Sequence, residues 1–210
     1  MAEPFKNLFN QAFVEEMCEH LLAFKVLRNK NDVNKFHTLI FDNDWKDREL
    51  KSRMRHIATV LKYFLPADFP EACEIIINIV NEVKAGKEGM SLQYMVLADY
   101  VEQFGLEHLK DSIKAMEVIT QYASCEFAVR SFIIRNPDKM MKQMLLWSKH
   151  SSFMVRRFAS EGCRPLLPWA IVLHDLKSDP SPILPILEIL KDDESEFVRK
   201  SVANNLNDIS

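Results

Sequence analysis

The fold is decided by the stretch Phe153-Met154-Val155-Arg156-Arg157-Phe158-Ala159, in which an apolar-Val-Arg step is followed one turn later by a small residue. The same step recurs in Phe127-Ala128-Val129-Arg130 and in Phe197-Val198-Arg199, which continues into Lys200-Ser201-Val202-Ala203. In repeated helix pairs the valine packs inward, and the small residue lets the neighbouring helix approach closely. The three copies predict a HEAT-like solenoid of antiparallel helix pairs with a concave groove, and chance similarity between helical segments is the alternative.

The composition also favours an all-α protein. The chain has 210 residues and only 4 glycines, whereas sheet folds with many tight turns usually need more. Between residues 9 and 24, apolar residues recur at three- and four-residue steps, which is the period of an amphipathic helix. We expect a single domain over 1–210, in which the helices of 1–85 cap the array and the repeats of 90–210 carry the site.

Similar periodicity elsewhere predicts helices over 34–41, 49–64, 71–84, 92–104 and 106–123. The segment 85–90 is the clearest loop in the first half of the chain, and Gly105 separates the last two of these helices. The connections are short, so neighbouring helices are expected to pair.

Charge, cysteines and histidines exclude several classes of protein. The net charge of −3 and the pI of about 6.1 argue against a protein that coats nucleic acid indiscriminately, although a local basic face is compatible with them. The four cysteines form no Cys-x-x-Cys motif, which predicts reduced thiols in an intracellular protein. No apolar run has signal-peptide length or reaches the roughly 20 residues of a membrane span, so we expect a cytoplasmic protein. None of the six histidines has metal-ligand spacing, and we expect no metal and no cofactor.

The segment from Glu161 to Trp169 is not explained by packing. We expect a helix to end near Gly162, two prolines to stiffen the connection, and Trp169 to stand at the start of the next helix. A carboxylate, a guanidinium and an indole around such a loop are typical of a site for a cationic, planar ligand. Each residue also has an ordinary alternative: a solvated Glu161, a helix-capping Arg164 and a core Trp169.

The stretch 201–208 is the second unusual segment, because it contains three asparagines, which are poor helix formers, and an aspartate. Asn204 and Asp208 are four residues apart and share a helix face, and the repeat alignment puts Asn204 in the place of Glu161. We therefore expect Glu161 and Asp208 on neighbouring helices facing one groove. The alternative is a frayed terminal helix.

Three motifs are shared with a known family. The first is Val155-Arg156-Arg157-Phe158-Ala159-Ser160-Glu161-Gly162, continued by Arg164-Pro165 and Leu167-Pro168-Trp169-Ala170. The second is the stretch 201–208, and the third is Ser124-Cys125-Glu126-Phe127-Ala128-Val129-Arg130. Together they resemble the AlkC-type DNA alkylation repair glycosylases of the AlkC/AlkD HEAT-like superfamily. The resemblance covers residues 85–210, and the N-terminal third shares only its helical character.

The resemblance implies a protein that grips double-stranded DNA in a concave basic channel, and we expect a monomer. It also implies hydrolysis of the N-glycosidic bond of cationic alkylated bases, notably 3-methyladenine and 3-methylcytosine, without full extrusion of the base. Carried over by motif, Glu126, Glu161 and Asp208 would be the catalytic carboxylates. Trp169 would contact the lesion, and Arg164 the DNA backbone. Further basic residues would either contact phosphates or stabilise the repeats: Arg130, Arg156, Arg157, Lys191, Arg199 and Lys200.

Two features depart from the family pattern. Position 166 is Leu where the family motif would have a basic residue, which would weaken phosphate binding. The chain ends at Ser210, directly after the second motif, whereas family members continue with further helices and some add an immunoglobulin-like domain. We therefore expect a C-terminal extension to be absent. The main alternative function is a HEAT-like scaffold that binds DNA or a protein partner without catalysis, and carboxylates scattered over different faces would favour it.

Overall fold

A computed structural model describes residues 4–85 and 89–210 of the chain. These residues form twelve α-helices and two short 3-10 helices, without a strand among them, so the predicted all-α, HEAT-like fold class is confirmed. The predicted loop over 85–90 lies partly outside the described residues. No helix within the described ranges combines the length and the apolarity that crossing a membrane requires.

The chain divides into two compact units, Met1–Ala123 and Ser124–Ser210. The first contains 3-10 helices over Phe5–Leu8 and Trp45–Asp47 and the helices α1 Gln11–Ala23, α2 Lys30–Ile40, α3 Leu50–Phe64, α4 Phe69–Lys84, α5 Met95–Phe104 and α6 Leu109–Ile119. The second contains α7 Ala128–Arg135, α8 Pro137–Trp147, α9 Phe153–Gly162, α10 His174–Ser178, α11 Leu184–Leu190 and α12 Glu196–Ile209. The single domain over 1–210, with capping helices over 1–85 and repeats over 90–210, stays a prediction.

In the first unit, α3 packs against α2 and α5, and α4 packs against α5 and α6. Helices α3 and α4 match their predicted spans closely, whereas α5 and α6 are shorter than predicted. Helix α2 begins four residues earlier than predicted, because Asn29 caps it. The Asn29 side chain accepts hydrogen bonds from the backbone N–H groups of Asn31 and Asp32, at 2.8 and 3.2 Å. An Asn in this position satisfies N–H groups that have no partner within the helix.

Gly105 lies between α5 and α6 at a point of close approach. A Cβ atom there would lie 2.3 Å from Ser112 Oγ, 2.5 Å from Phe69 Cζ and 2.6 Å from the carbonyl oxygen of Val101. The Ser112 hydroxyl donates a hydrogen bond of 2.8 Å to the Gly105 carbonyl, which holds α6 in this position. The position therefore needs glycine for space.

In the second unit, α9 lies at the centre and packs against α8, α11 and α12. The valines of the three repeated steps, Val129, Val155 and Val198, are all fully buried, as the repeat pattern predicts. The ring centres of Phe158 and Trp147 lie 4.9 Å apart and join α9 to α8. Packing of the repeated apolar residues thus fixes α9, from whose end the candidate site extends.

All four cysteines are buried free thiols. Burial raises the pKa of Cys18 to about 11 and those of Cys73 and Cys163 to about 12. Burial also raises the pKa of Cys125 well above its ordinary value. The thiols are therefore protonated near neutral pH.

We expect Gly105→Ala to destabilise the chain by roughly 1–3 kcal/mol, because the Val101 carbonyl belongs to the backbone and has little freedom to move away. Urea unfolding followed by circular dichroism measures this change in the free energy of unfolding. Lys110→Ala, an exposed change on the neighbouring α6, should stay within about 0.5 kcal/mol of the wild type. Equal stability of Gly105→Ala and the wild type would contradict a close approach of α5 and α6 at Gly105.

Candidate active site

Five charged side chains of the second unit form one connected row, called the carboxylate row below: Glu126, Arg157, Glu161, Arg164 and Asp208. Arg157 Nη1 donates to Glu126 Oε2 at 2.5 Å, and its Nη2 lies 3.6 Å from Glu161 Oε1. Arg164 Nη1 donates to Glu161 Oε1 at 2.7 Å, while Arg164 Nε and Nη2 donate to the two oxygens of Asp208 at 3.0 and 3.1 Å. The three predicted carboxylates, separated by 35 and 47 positions in the sequence, are thus brought together.

Neutral donors also hold two of these carboxylates. The Ser201 hydroxyl donates to Glu161 Oε2 at 2.6 Å, and the backbone N–H of Leu166 donates to Asp208 Oδ2 at 3.1 Å. Sequence reasoning assigned no role to Ser201. The spacing between Ser201 and Asp208 could have indicated that role. Ser201 precedes Asp208 by seven residues, or two helical turns, so both lie on the same face of the helix.

Glu126 lies in the turn before α7, where the Ser124 hydroxyl donates to its Oε2 at 2.9 Å. Its partner Arg157 also donates to Ser124 Oγ at 3.2 Å, and the Arg157 guanidinium lies 4.9 Å from the ring centre of Phe197. Arg157 is therefore placed between carboxylates and against an aromatic ring, and its contact with a phosphate stays a prediction.

Arg164 is buried between the carboxylates of α9 and α12. Burial alone would lower the pKa of Arg164, but its hydrogen bonds with Asp208 and Glu161 raise that pKa above its usual value. Its guanidinium binds three carboxylate oxygens, which is the geometry in which arginine pairs most strongly. As placed, Arg164 links two helices, and the contact with the DNA backbone stays a prediction.

Helix α12 turns Asn205 and Asp208, rather than Asn204, toward the interior of the unit. The Asn205 side chain donates to the carbonyl of Ser160 at 2.7 Å. Asn204, which the repeat alignment pairs with Glu161, is exposed and does not share its inward position, because the buried face of α12 passes through positions 198, 201, 205 and 208. The frayed-helix alternative is also wrong, since α12 is helical to residue 209 and Asp208 is bound.

Trp169 lies in a turn, not at the start of a helix as predicted, since α10 begins only at His174. The turn is closed by a hydrogen bond of 3.2 Å from the N–H of Ala170 to the carbonyl of Leu167. Trp169 has a φ of 64°, a left-handed conformation that costs roughly 1–2 kcal/mol in a residue with a Cβ. Its side chain is 67% exposed. The indole is thus held outside the packed interior by residues 163–173, called the site loop below.

Arg130 does not face outward, so its predicted phosphate contact is wrong. Its side chain is 0% exposed and donates to backbone carbonyls, which leaves the alternative of a stabilising role. Arg156 is also largely buried and pairs with Asp193 at 2.6 Å and with Glu194 at 3.1 Å. Its contact with a phosphate stays a prediction.

The remaining predicted phosphate contacts lie on exposed surface. Arg199 and Lys200 are exposed on α12, where Lys200 pairs with Glu196 at 2.8 Å. Lys191 is exposed after α11 and pairs with Glu188 at 2.6 Å. Such surface pairs are weak, so the two lysines are accessible to another anion, whereas Arg199 Nη1 donates to the carbonyls of Asp193 and Glu194. In the described ranges of the chain, no group of three or more His, Cys, Asp or Glu side chains is placed to hold a metal ion.

We expect Asp208→Ala to destabilise the second unit by roughly 3–5 kcal/mol, because it leaves Arg164 buried with one of its two partners missing. Glu196→Ala removes an exposed pair on the same helix and should cost no more than about 0.5 kcal/mol. Urea unfolding of both variants compares the two free energies. A cost for Asp208→Ala as small as that for Glu196→Ala would show that the row does not stabilise the fold.

No family model matches the chain. It is 45% identical over 205 residues to the uncharacterized protein YhaZ of Bacillus subtilis (strain 168), a match that covers 98% of this chain and 55% of YhaZ. Its fold is similar to that of the Pseudomonas fluorescens alkylpurine DNA glycosylase AlkC bound to DNA containing an abasic site analog, with a TM-score of 0.89 and 30% identity. That match covers 100% of this chain and 56% of AlkC, so the chain spans about half the length of both relatives. Over the length that it spans, the chain is therefore similar to AlkC in sequence and in fold.

Proposed function

We propose that this chain is a DNA glycosylase. Its reaction would be hydrolysis of the N-glycosidic bond of cationic alkylated bases in double-stranded DNA, with 3-methyladenine and 3-methylcytosine as substrates. The similarity to AlkC supports the reaction class. We further propose that the protein acts in base-excision repair, as a monomer in the cytoplasm.

The observation that carries the proposal is the carboxylate row. Its three carboxylates outnumber its two guanidiniums in a largely buried cluster, and Arg130 acts on Glu126 and Asp208 through space from outside the row. Coulomb interactions are stronger there than in bulk water, so a cationic group brought to the row gains more than a neutral one. The row therefore suits a substrate whose positive charge lies at the bond to be broken.

The chemistry of alkylated bases fits such a cluster. A base alkylated at N3 already carries positive charge and leaves readily, so the reaction needs no strong general acid. As the bond breaks, the sugar becomes oxocarbenium-like, as in glycoside hydrolysis generally. Glu126, Glu161 and Asp208 would stabilise that charge, and one of them would orient or deprotonate the attacking water.

Trp169 would add selectivity for the cationic base. An indole attracts a cation at its face by roughly 0.5–2 kcal/mol, and a neutral base gains less. The turn that bears Trp169 begins directly after Leu166, whose N–H is bonded to Asp208. The exposed indole is therefore on the same loop that contributes Arg164 to the carboxylate row.

Arg199 and Lys200 would meet phosphates, since both are exposed on the helix that bears Asp208. Contacts of this kind position a protein on DNA without reading its sequence.

A scaffold that binds DNA or protein without catalysis is the second candidate. The observation in its favour is that every carboxylate of the row is already paired with arginine, as a purely stabilising network would require.

Release of 3-methyladenine and 3-methylcytosine from methylated duplex DNA tests the proposal. We expect Glu161→Gln and Asp208→Asn each to lower the single-turnover rate constant by about a hundredfold or more, because each removes charge that stabilises the transition state. The matched control is Asp42→Asn, which loses a carboxylate paired with Arg48 in the first unit. Thermal melting ensures that all variants are compared while folded.

No base release by the wild-type chain would reject the glycosylase function and leave the scaffold. Equal rates for Glu161→Gln and Asp42→Asn would reject the carboxylate row as the active site.

We expect Trp169→Leu to reduce the preference for methylated over unmodified DNA by roughly two- to thirtyfold, the range that corresponds to 0.5–2 kcal/mol. Trp169→Phe, which keeps an aromatic face, should lose less. The ratio of the two dissociation constants, measured by fluorescence anisotropy, reports the preference. Leu146→Ala, which alters an apolar side chain that is 64% exposed on α8, should leave the ratio unchanged. An unchanged ratio for Trp169→Leu would contradict contact between the indole and the lesion.

A further inference from the structure

Arg130 is a buried cation that has no role in the reaction proposed for the carboxylate row. It belongs to α7, is 0% exposed, and is among the largest fully buried side chains of the chain. An arginine is rarely buried so completely unless its donors are all occupied. Its hydrogen bonds therefore indicate its role.

The guanidinium of Arg130 joins the two ends of the site loop. At the first end, Nη1 donates to the carbonyl of Arg164 at 2.6 Å and to that of Gly162 at 3.4 Å, and Nη2 donates to the carbonyl of Pro165 at 3.0 Å. At the second end, Nε donates to the carbonyl of Ile171 at 2.5 Å. One rigid fork thus fixes both the entry and the exit of the loop.

The segment that Arg130 closes contains the loop residues proposed for the reaction. Arg164 binds the carboxylates of Glu161 and Asp208, and the N–H of Leu166 binds Asp208 again. The indole of Trp169 stands on a left-handed turn within the same loop. A strained backbone conformation persists only where the surrounding structure holds it, and the Arg130 hydrogen bonds clamp the chain on both sides of this one.

The acceptors described for Arg130 are all backbone carbonyls, and Asp208 and Glu126 also stabilise its charge through space. Burial lowers its pKa to about 10, which still leaves it protonated near neutral pH. A lysine would keep the charge but lacks the planar fork, and its single ammonium has no geometry to reach both ends of the loop. Burying a charge costs desolvation free energy, which an apolar residue at this position would avoid. The presence of arginine therefore points to a requirement for the geometry of the loop.

We propose that Arg130 is a positioning residue that holds the site loop, and with it Arg164 and the Trp169 indole, in the geometry the reaction needs. This inference rests on the proposed glycosylase function for its effect on rate. The holding of the loop itself is testable without catalysis.

The experiment compares Arg130→Lys and Arg130→Gln with the wild type in the full chain. Arg130→Lys keeps the charge without the fork, and Arg130→Gln keeps two N–H donors without the charge. The matched control is Arg53→Lys, because Arg53 is a buried arginine of the first unit that donates to the carbonyls of Arg48 and Lys6. Amide hydrogen exchange of peptides covering 163–173 is measured beside the single-turnover rate and the dissociation constant for methylated DNA.

We expect both Arg130 variants to exchange about tenfold faster in the site loop, with protection of α9 and α12 retained. The single-turnover rate constant should fall by about ten- to a hundredfold while DNA affinity changes less than threefold, since misplacement by about 1 Å is enough for such losses. Arg53→Lys should alter neither quantity at the site loop. Should either Arg130 variant fail to fold, the other still decides the outcome.

Loop exchange that stays at the wild-type rate in Arg130→Lys would overturn the inference, because charge alone would then suffice. A uniform loss of protection over the whole second unit would also overturn it, since Arg130 would then be an ordinary core residue. If the wild type releases no base while the loop of the Arg130 variants still opens, the proposed function fails and the loop-holding role stands.

Discussion

The second unit depends on one guanidinium, that of Arg164, which two carboxylates on different helices share. Glu161 lies at the end of α9, Asp208 belongs to the last turn of α12, and both contact Arg164 within 3.1 Å. A buried charge that loses a partner is costly, so α12 is constrained to the register that brings Asp208 to Arg164. That register also turns Ser201 and Asn205 inward, where each makes a hydrogen bond to α9. One ion cluster therefore fixes both the helix packing and the positions of the carboxylates that we propose for catalysis.

The sequence predicts the packing layer well because packing follows a period. The repeated valines are buried, α3 and α4 match their predicted spans, and α9 ends at Gly162 as expected. The features that the sequence does not predict depend on single side-chain hydrogen bonds, which produce no periodic pattern of residues. Asn29 looks like part of a polar break but caps α2.

The candidate site also has features that the sequence predicts and features that it does not. The motifs bring the three carboxylates together correctly, whereas the neighbours of each arginine could not be read from the sequence. Arg130 and Arg157 fit a phosphate-binding pattern equally well, yet one is enclosed by carbonyls and the other lies between carboxylates. The structure also accounts for a leucine at position 166, where the family motif would have a basic residue. Position 166 contributes to the site through its backbone N–H. That contact is independent of the side chain, so a leucine there leaves the carboxylate row intact.

The buried cysteines have a consequence for a protein that would work among methylating agents. Those electrophiles also attack cysteine, and it is the thiolate, not the protonated thiol, that reacts. Because Cys163 lies directly after α9 with its pKa raised to about 12, almost none of it is ionised near neutral pH. The other three thiols are shielded by the same burial. The four cysteines thus offer the reagent almost no thiolate, and the protein would resist inactivation at these positions by the very compounds whose lesions it would remove.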